Sequence, residues 1–123
     1  MPVRAILVDD DVRFLAAAGK LLVREGVDVV GFASNGDEAL ERAERLRPDV
    51  ALVDIGLQGE SGFDVARRLA GLAGGPQSVI LISSYAERDF QDLIRSSGAL
   101  GFVPKAELSA RAIEELVLAE RDH

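Results

Sequence analysis

The 123-residue sequence predicts an α/β fold in which five parallel strands form one sheet with helices on both faces. Short apolar runs alternate strictly with longer stretches of helical periodicity, and this strand–helix unit occurs five times along the chain. Because crossovers between parallel strands are right-handed, few topologies remain. The doubly wound order 2-1-3-4-5 is the natural one for five strands.

The predicted strands are apolar runs of four to seven residues at 5–8, 27–33, 50–53, 79–82 and 99–103. Several are apolar at consecutive positions, which is typical of strands that helices cover on both faces. A sheet of five such strands, each followed by a helix, is flavodoxin-like.

Helices are predicted where apolar residues recur at spacings of three and four. Their expected ranges are 12–25, 36–47, 63–72, 87–97 and 108–120. Ser34 or Asn35 is the expected N-cap of the second helix, because either side chain accepts a hydrogen bond from a helix amide. The glycine- and proline-containing stretch 72–77 ends the third helix before the fourth strand begins.

The composition is that of an ordinary globular domain, with 48% hydrophobic and 28% charged residues, and one domain is expected over residues 1–123. No stretch approaches the roughly 18 consecutive apolar residues of a membrane helix, and no signal peptide is recognisable. The absence of cysteine fits a reducing compartment, so the cytoplasm is the expected location. The net charge of −7 argues against direct binding of nucleic acid.

Polar side chains follow the predicted strands at the edge where parallel sheets form their sites. Asp9, Asp10 and Asp11 follow the first strand, Asp54 the third, Ser83 and Ser84 the fourth, and Lys105 the fifth. The first and third strands are neighbours in the predicted order. Asp9, Asp10 and Asp54 are therefore expected to converge. The single histidine, His123, is terminal, which excludes histidine-based catalysis and histidine metal sites.

Three carboxylates within a few ångströms of one another do not all remain ionised unless a positive charge compensates their repulsion. A hard divalent cation supplies it, and an all-oxygen site with few carboxylates suits Mg²⁺. Lys105 and the Ser83 hydroxyl would then surround a phosphoryl group, with Asp54 as the candidate nucleophile. Gly56 leaves the backbone close to the site, where an amide or a carbonyl can serve the metal or the phosphate.

Four motifs carry a family resemblance. They are ILVDD at 6–10, DVALVD at 49–54, VILISS at 79–84 and GFVPK at 101–105. Together, in this order and at this spacing, they resemble the receiver domain of the response regulators of bacterial two-component systems. The resemblance covers essentially the whole chain.

The resemblance implies a phosphoacceptor and a metal site. Asp54 matches the residue that becomes an aspartyl-phosphate, and Asp9 and Asp10 match the acidic pair that places Mg²⁺. Asp54 and the backbone carbonyl of Gly56 would be the further metal ligands. Such a domain is not a conventional enzyme, since at most it catalyses its own phosphorylation and dephosphorylation.

The resemblance also implies a switch. Ser83 matches the hydroxyl that moves toward the phosphoryl group, Lys105 the lysine that bridges to it, and Phe102 the aromatic residue that repacks inward. Gln58 departs from the family, because proline is common at its position, and this leaves the loop less constrained. Tyr85 is similar to bulky residues that screen the aspartyl-phosphate from water, although a surface aromatic residue is the simpler interpretation.

Partners follow from the same resemblance. A sensor histidine kinase or a phosphotransfer protein would supply the phosphoryl group. A downstream effector or an appended output domain would receive the signal through the fourth helix, fifth strand and fifth helix, where family members also form homodimers. The stretch 100–108 is similar to receivers that precede a helix-turn-helix domain, which suggests the receiver part of a transcriptional regulator.

Two other functions stay open at this point. A hydrolase of the haloacid-dehalogenase type has an aspartate nucleophile and a second aspartate two residues later, as Asp9 and Asp11 do, but it leaves Asp54 unexplained. The other is a binding module that uses the receiver fold without phosphorylation.

Purely structural interpretations are also available. The acids at 9–11 suit the first turn of a helix, and Asp54 suits a turn cap. Ser83 would then be an ordinary strand-end hydroxyl and Lys105 a solvated charge. Gly59 and Gly62 are expected to be only turn residues.

Overall fold

The computed structural model of the chain describes residues 2–84 and 90–121, without the side chains of residues 120 and 121. Tyr85 and the predicted start of the fourth helix at 87–89 lie outside the described residues. Within this part of the chain, no helix is both long enough and apolar enough to cross a membrane.

Five parallel strands form one sheet in the order β2-β1-β3-β4-β5, as the sequence predicts. The strands are β1 (Arg4–Val8), β2 (Asp28–Ala33), β3 (Val50–Asp54), β4 (Ser78–Ser83) and β5 (Gly101–Pro104). Their bounds agree with the predicted runs to within two residues. The central strands β3 and β4 are buried along their whole length, because helices cover both faces of the sheet.

The helices are α1 (Val12–Arg24), α2 (Gly36–Leu46), α3 (Gly62–Ala70), α4 (Gln91–Ser96) and α5 (Ala110–Arg121). Successive strand residues point to opposite faces of the sheet, so Ile6 and Val8 of β1 face α2, α3 and α4. Ala5 and Leu7 face α1 and α5 on the other side. These two apolar layers hold the sheet rigidly enough to fix the positions of the residues at its edge.

The helix ends follow local capping chemistry. Asn35 caps α2, with its side chain accepting a hydrogen bond from the Glu38 amide at 2.9 Å. The last helix begins at Ala110 rather than at residue 108, because Leu108 is extended (φ −65°, ψ 128°) after a short 3-10 turn at Lys105–Glu107. The first turn of α5 is also tied to the end of α1, since the Ala110 amide donates to Glu25 Oε1 at 2.7 Å.

Gly62 corrects one expectation of the sequence analysis. It is the first residue of α3 and packs directly on the backbone at the end of β3. A Cβ atom at this position would lie 2.5 Å from Ile55 Cα and closer still to the carbonyl oxygen of Asp54. Gly59, by contrast, is a turn residue as expected, with a φ of +81° that favours glycine.

We predict that Gly62→Ala lowers the free energy of unfolding by roughly 2–3 kcal/mol, because a main-chain clash cannot be relieved by a change of rotamer. Urea unfolding would measure the change. Gly71→Ala is the matched control at the other end of α3, where the nearest atom to an added Cβ is Arg67 O at 3.5 Å. That control is expected to stay within about 0.5 kcal/mol of the wild type. Equal stability of the two variants would contradict the packing role of Gly62.

Candidate functional site

The acidic residues converge where the sequence predicts, because β1 and β3 are adjacent and parallel, with Val8 opposite Val53. Asp9 and Asp10 follow Val8, and Asp54 follows Val53 in its strand. One carboxylate oxygen from each of these three acids lies within 4.8 Å of the other two. Asp9 is fully buried and Asp54 is 8% exposed. The result is a concentrated negative charge at the carboxyl edge of the sheet.

Lys105 supplies the nearest positive charge. Its ammonium lies 2.6 Å from Asp9 Oδ2 and 3.7 Å from Asp54 Oδ2, and its side chain is only 16% exposed. The ammonium also lies 4.3 Å from the centroid of the Phe14 ring, a cation–π contact. Lys105 is therefore not a solvated charge, because the start of α1 and the end of β5 hold it over the acids.

The electrostatics of Asp54 reflect this environment. Burial raises the pKa of the Asp54 carboxyl above its ordinary value, and the neighbouring Asp9 charge raises it further. The Lys105 ammonium and a hydrogen bond from the Gly56 backbone oppose this increase, while Asp10 adds to it. The pKa of Asp54 is thus higher than normal despite its lysine partner, mainly because the carboxyl is buried.

The donor set fits a hard divalent cation. All three side chains offer carboxylate oxygen, which is the ligand type that Mg²⁺ prefers. Asp9 Oδ2 is buried and, among the described residues, makes no hydrogen bond of good geometry, although the Lys105 ammonium is close to it. A metal ion would stabilise a buried carboxylate oxygen that lacks a well-formed hydrogen bond, because its attraction to the oxygen does not depend on hydrogen-bond geometry.

Asp11 does not belong to this cluster. It is the N-cap of α1, and its Oδ1 accepts hydrogen bonds from the amides of Arg13 at 3.0 Å and Phe14 at 3.3 Å. Its own amide donates to Asp9 Oδ1 at 2.8 Å, which fixes the Asp9 carboxylate. The structural interpretation of an acid at a helix start is thus confirmed for Asp11 but does not extend to Asp9.

The loop between β3 and α3 closes over the acids. The Gln58 amide donates to Asp10 Oδ2 at 2.7 Å, and Glu60 Oε2 accepts from the Gly36 amide at 2.9 Å. Leu57, which directly precedes Gln58, is buried in the core. The Gln58 amide ties the loop to Asp10, a constraint that proline at this position could not supply.

The remaining predicted residues occupy β4, β5 and the loop after β3. Ser83 ends β4, is 1% exposed, and pairs with Pro104 in the sheet. It lines an open depression of about 460 Å³ beside the acids, together with Phe14 and Lys105.

The Phe102 ring is 8% exposed and already packs in the core. The expected inward repacking of this ring therefore has no outward starting position in this conformation. For Gly56, the observed contact is the hydrogen bond from its backbone to Asp54.

Sequence reasoning missed two contributors, Phe14 and Gln58. The Phe14 ring reaches Lys105 across the sheet edge, and no pattern links two residues 91 positions apart. Gln58 contributes a main-chain N–H, which every residue except proline carries. The only sequence signal for this amide was the absence of the proline that is common at this position in the family.

Comparisons with known proteins agree with this geometry. The response regulator GacA of Pseudomonas viridiflava is 30% identical over 118 residues, covering 94% of this chain and 54% of that protein. The transcriptional regulatory protein PdtaR of Mycobacterium tuberculosis H37Rv is 28% identical over 105 residues, covering 85% of this chain and 50% of that protein. The chain thus spans about half the length of these curated relatives.

A solved structure shows the same fold over the full length. The response regulator receiver domain protein (CheY-like) from Methanospirillum hungatei JF-1 is 25% identical with a TM-score of 0.79, and the match covers 100% of both chains. The family model of the response regulator receiver domain matches residues 5–117. On these matches and on the acidic site between β1 and β3, the chain belongs to the response regulator receiver domain family.

Proposed function

We propose that the chain is a phosphorylation-dependent switch that accepts a phosphoryl group on Asp54 from a sensor histidine kinase or a phosphotransfer protein. The main support for this proposal is that Asp9, Asp10 and Lys105 converge around Asp54 at the carboxyl edge of the sheet. We also propose a single receiver domain over residues 1–123, acting in the cytoplasm. The similarity to a transcriptional regulatory protein favours an output domain or effector that regulates transcription.

Each residue of the site has a role in this transfer. An oxygen of Asp54 attacks phosphorus, and the bond between phosphorus and the donor breaks, with its electron pair leaving on the donor atom. Lys105 lies close enough to neutralise the charge on the phosphoryl oxygens. Ser83 would donate its hydroxyl to one of them. These groups would then hold the phosphorylated site in its new arrangement.

A bound Mg²⁺ would supply further positive charge toward the phosphoryl oxygens. Asp9, Asp10, Asp54 and the backbone carbonyl of Gly56 are the proposed ligands. The fit rests on the three converging carboxylates and on the buried Asp9 Oδ2 without a well-formed hydrogen bond. Ionised Asp54 is the nucleophilic form, so added positive charge also favours the reactive state of the acid.

The hydrolase alternative is disfavoured by Asp11. In that mechanism Asp11 would be the second acid of the site, but here Asp11 lies outside the acidic cluster and caps α1 through its Oδ1. Asp9, the nucleophile of that mechanism, is fully buried and paired with Lys105. Catalytic turnover of a generic phosphate ester would favour the hydrolase again.

Labelling would test the phosphoacceptor. With acetyl phosphate and Mg²⁺, we expect the wild type to take up at most about one phosphoryl group per chain, and Asp54→Asn to take up none. Asp11→Asn is the matched control, since asparagine also caps helices and the site acids stay intact. It should label like the wild type, and a metal chelator should abolish labelling. Uptake by Asp54→Asn, or loss of uptake in Asp11→Asn alone, would contradict the assignment.

The pKa of Asp54 leads to a pH-dependent stability. The carboxyl has a folded pKa above its ordinary value of 3.8, so its stabilising contribution is complete below 3.8 and is lost as the pH rises through the folded pKa. In metal-free buffer near pH 7, Asp54→Asn is therefore expected to be more stable than the wild type by on the order of 1 kcal/mol. Urea unfolding should show this difference shrink toward about pH 4. A difference that is constant with pH would exclude the carboxylate charge as its cause.

The proposed output face consists of α4, β5 and α5. Arg95 and the pair Arg111–Glu115 are exposed there, with Arg111 Nε 3.0 Å from Glu115 Oε1. We expect Arg95→Ala and Arg111→Ala to weaken phosphorylation-dependent dimerisation or partner binding about tenfold, as truncation of a hot-spot arginine does. Sedimentation velocity with beryllofluoride and Mg²⁺ would measure dimerisation.

Arg45→Ala is the control for this surface, because Arg45 forms a similar exposed pair with Glu41 on α2. It should leave association and labelling unchanged. If Arg95→Ala and Arg111→Ala associate with the same affinity as Arg45→Ala, the output surface lies elsewhere.

A further inference from the structure

We propose that the backbone amide of Gln58 is a positioning group for Asp10 and thereby sets the affinity of this chain for Mg²⁺. The inference rests on the proposed metal site and concerns a main-chain N–H rather than a side chain. Its basis is the hydrogen bond from Gln58 N to Asp10 Oδ2 at 2.7 Å, which joins residues 48 positions apart.

Asp10 is the acid of the cluster that needs an external constraint. Asp9 is fully buried between the Asp11 amide and the Lys105 ammonium. Asp54 is buried at the end of a central strand and receives the Gly56 hydrogen bond. Asp10 lies beyond the end of β1, where its side chain is more accessible to solvent. Without the Gln58 bond its carboxylate would be free to rotate away from the other two acids.

The bond restrains Asp10 without occupying it. A carboxylate has two oxygen atoms, and the Gln58 amide takes Oδ2, which leaves Oδ1 for a cation. Hydrogen bonds to metal-ligating carboxylates fix their orientation, and losing such a partner lowers metal affinity by roughly 10- to 100-fold. The Gln58 amide is placed to act in this way on Asp10.

The donor itself is held in place by the loop. Glu60 N bonds to Leu57 O at 3.4 Å and Gly59 has a φ of +81°, which are the marks of a type II turn with Gln58 at its second position. Buried Leu57 anchors one end of this turn, and the Glu60 bond to the Gly36 amide anchors the other. The Gln58 amide therefore points at Asp10 from a rigid support.

The same turn provides a clean test. The second position of a type II turn favours proline, which lacks an N–H, so Gln58→Pro suits the backbone and removes only the donor and the polar side chain. Gln58→Ala is the matched control, because it removes the side chain and keeps the N–H. Calorimetric titration of unphosphorylated protein with Mg²⁺ is expected to show about tenfold weaker binding for Gln58→Pro and unchanged binding for Gln58→Ala.

Nuclear magnetic resonance supplies a second measurement that does not depend on the proline variant. In the wild type, the Gln58 amide proton is expected to exchange slowly with solvent, both without metal and with saturating Mg²⁺. Asp10→Ala should restore the exchange rate of an open loop in the metal-free protein. Loss of protection when Mg²⁺ binds would show that the amide competes with the metal, and would overturn the positioning role.

The titration separates this inference from the proposed function. If the wild type and Gln58→Pro bind Mg²⁺ equally, the role of Gln58 is wrong while the metal site stands. Weakening in Gln58→Ala as large as in Gln58→Pro would assign the effect to the side chain and also overturn the inference. If the wild type itself does not bind Mg²⁺, the metal site and the inference both fail.

Discussion

The repulsion among three carboxylates is the constraint on which the rest of this site depends. The parallel pairing of β1 with β3 brings Asp9, Asp10 and Asp54 together whether or not their charges are balanced. Lys105 balances only part of this charge, because three carboxylates face a single ammonium among the described groups of the site. Burial, and then the charge of Asp9, raise the pKa of Asp54. A site left short of positive charge has a physical reason to attract a cation, and the proposed chemistry uses that shortage.

The scaffold around this repulsion is closely packed. Asp54 belongs to a fully buried strand, Gly62 packs on its main chain, and Ser83 ends the neighbouring buried strand. Phe102 lies in β5, one strand further, with its ring in the core. A change at Asp54 thus meets closely packed groups in the direction of the proposed output face, and packed interiors transmit displacement rather than absorb it.

The fold and most of the site could be predicted from the sequence, because both depend on local sequence patterns. Alternating apolar runs and helical spacings gave the strands to within two residues, and the strand ends located Asp9, Asp10, Asp54, Ser83 and Lys105. Contacts made across space were not predictable in this way. The packing of Gly62 on Asp54, the ring of Phe14 beside Lys105 and the Gln58 amide on Asp10 each depend on how distant segments meet.

The position of Lys105 in the chain has a consequence for biosynthesis. A ribosome delivers β1, β3 and their three acids well before it delivers the lysine that balances them, since domains are made from the N-terminus onward. Glu25 also precedes its partner by a long stretch of chain, because the Ala110 amide lies 85 residues downstream. A nascent chain that holds only the first four strands therefore carries the repulsion without its counter-charge. Emergence of β5 and α5 supplies both contacts, so the acids gain their lysine partner only after the other four strands have left the ribosome.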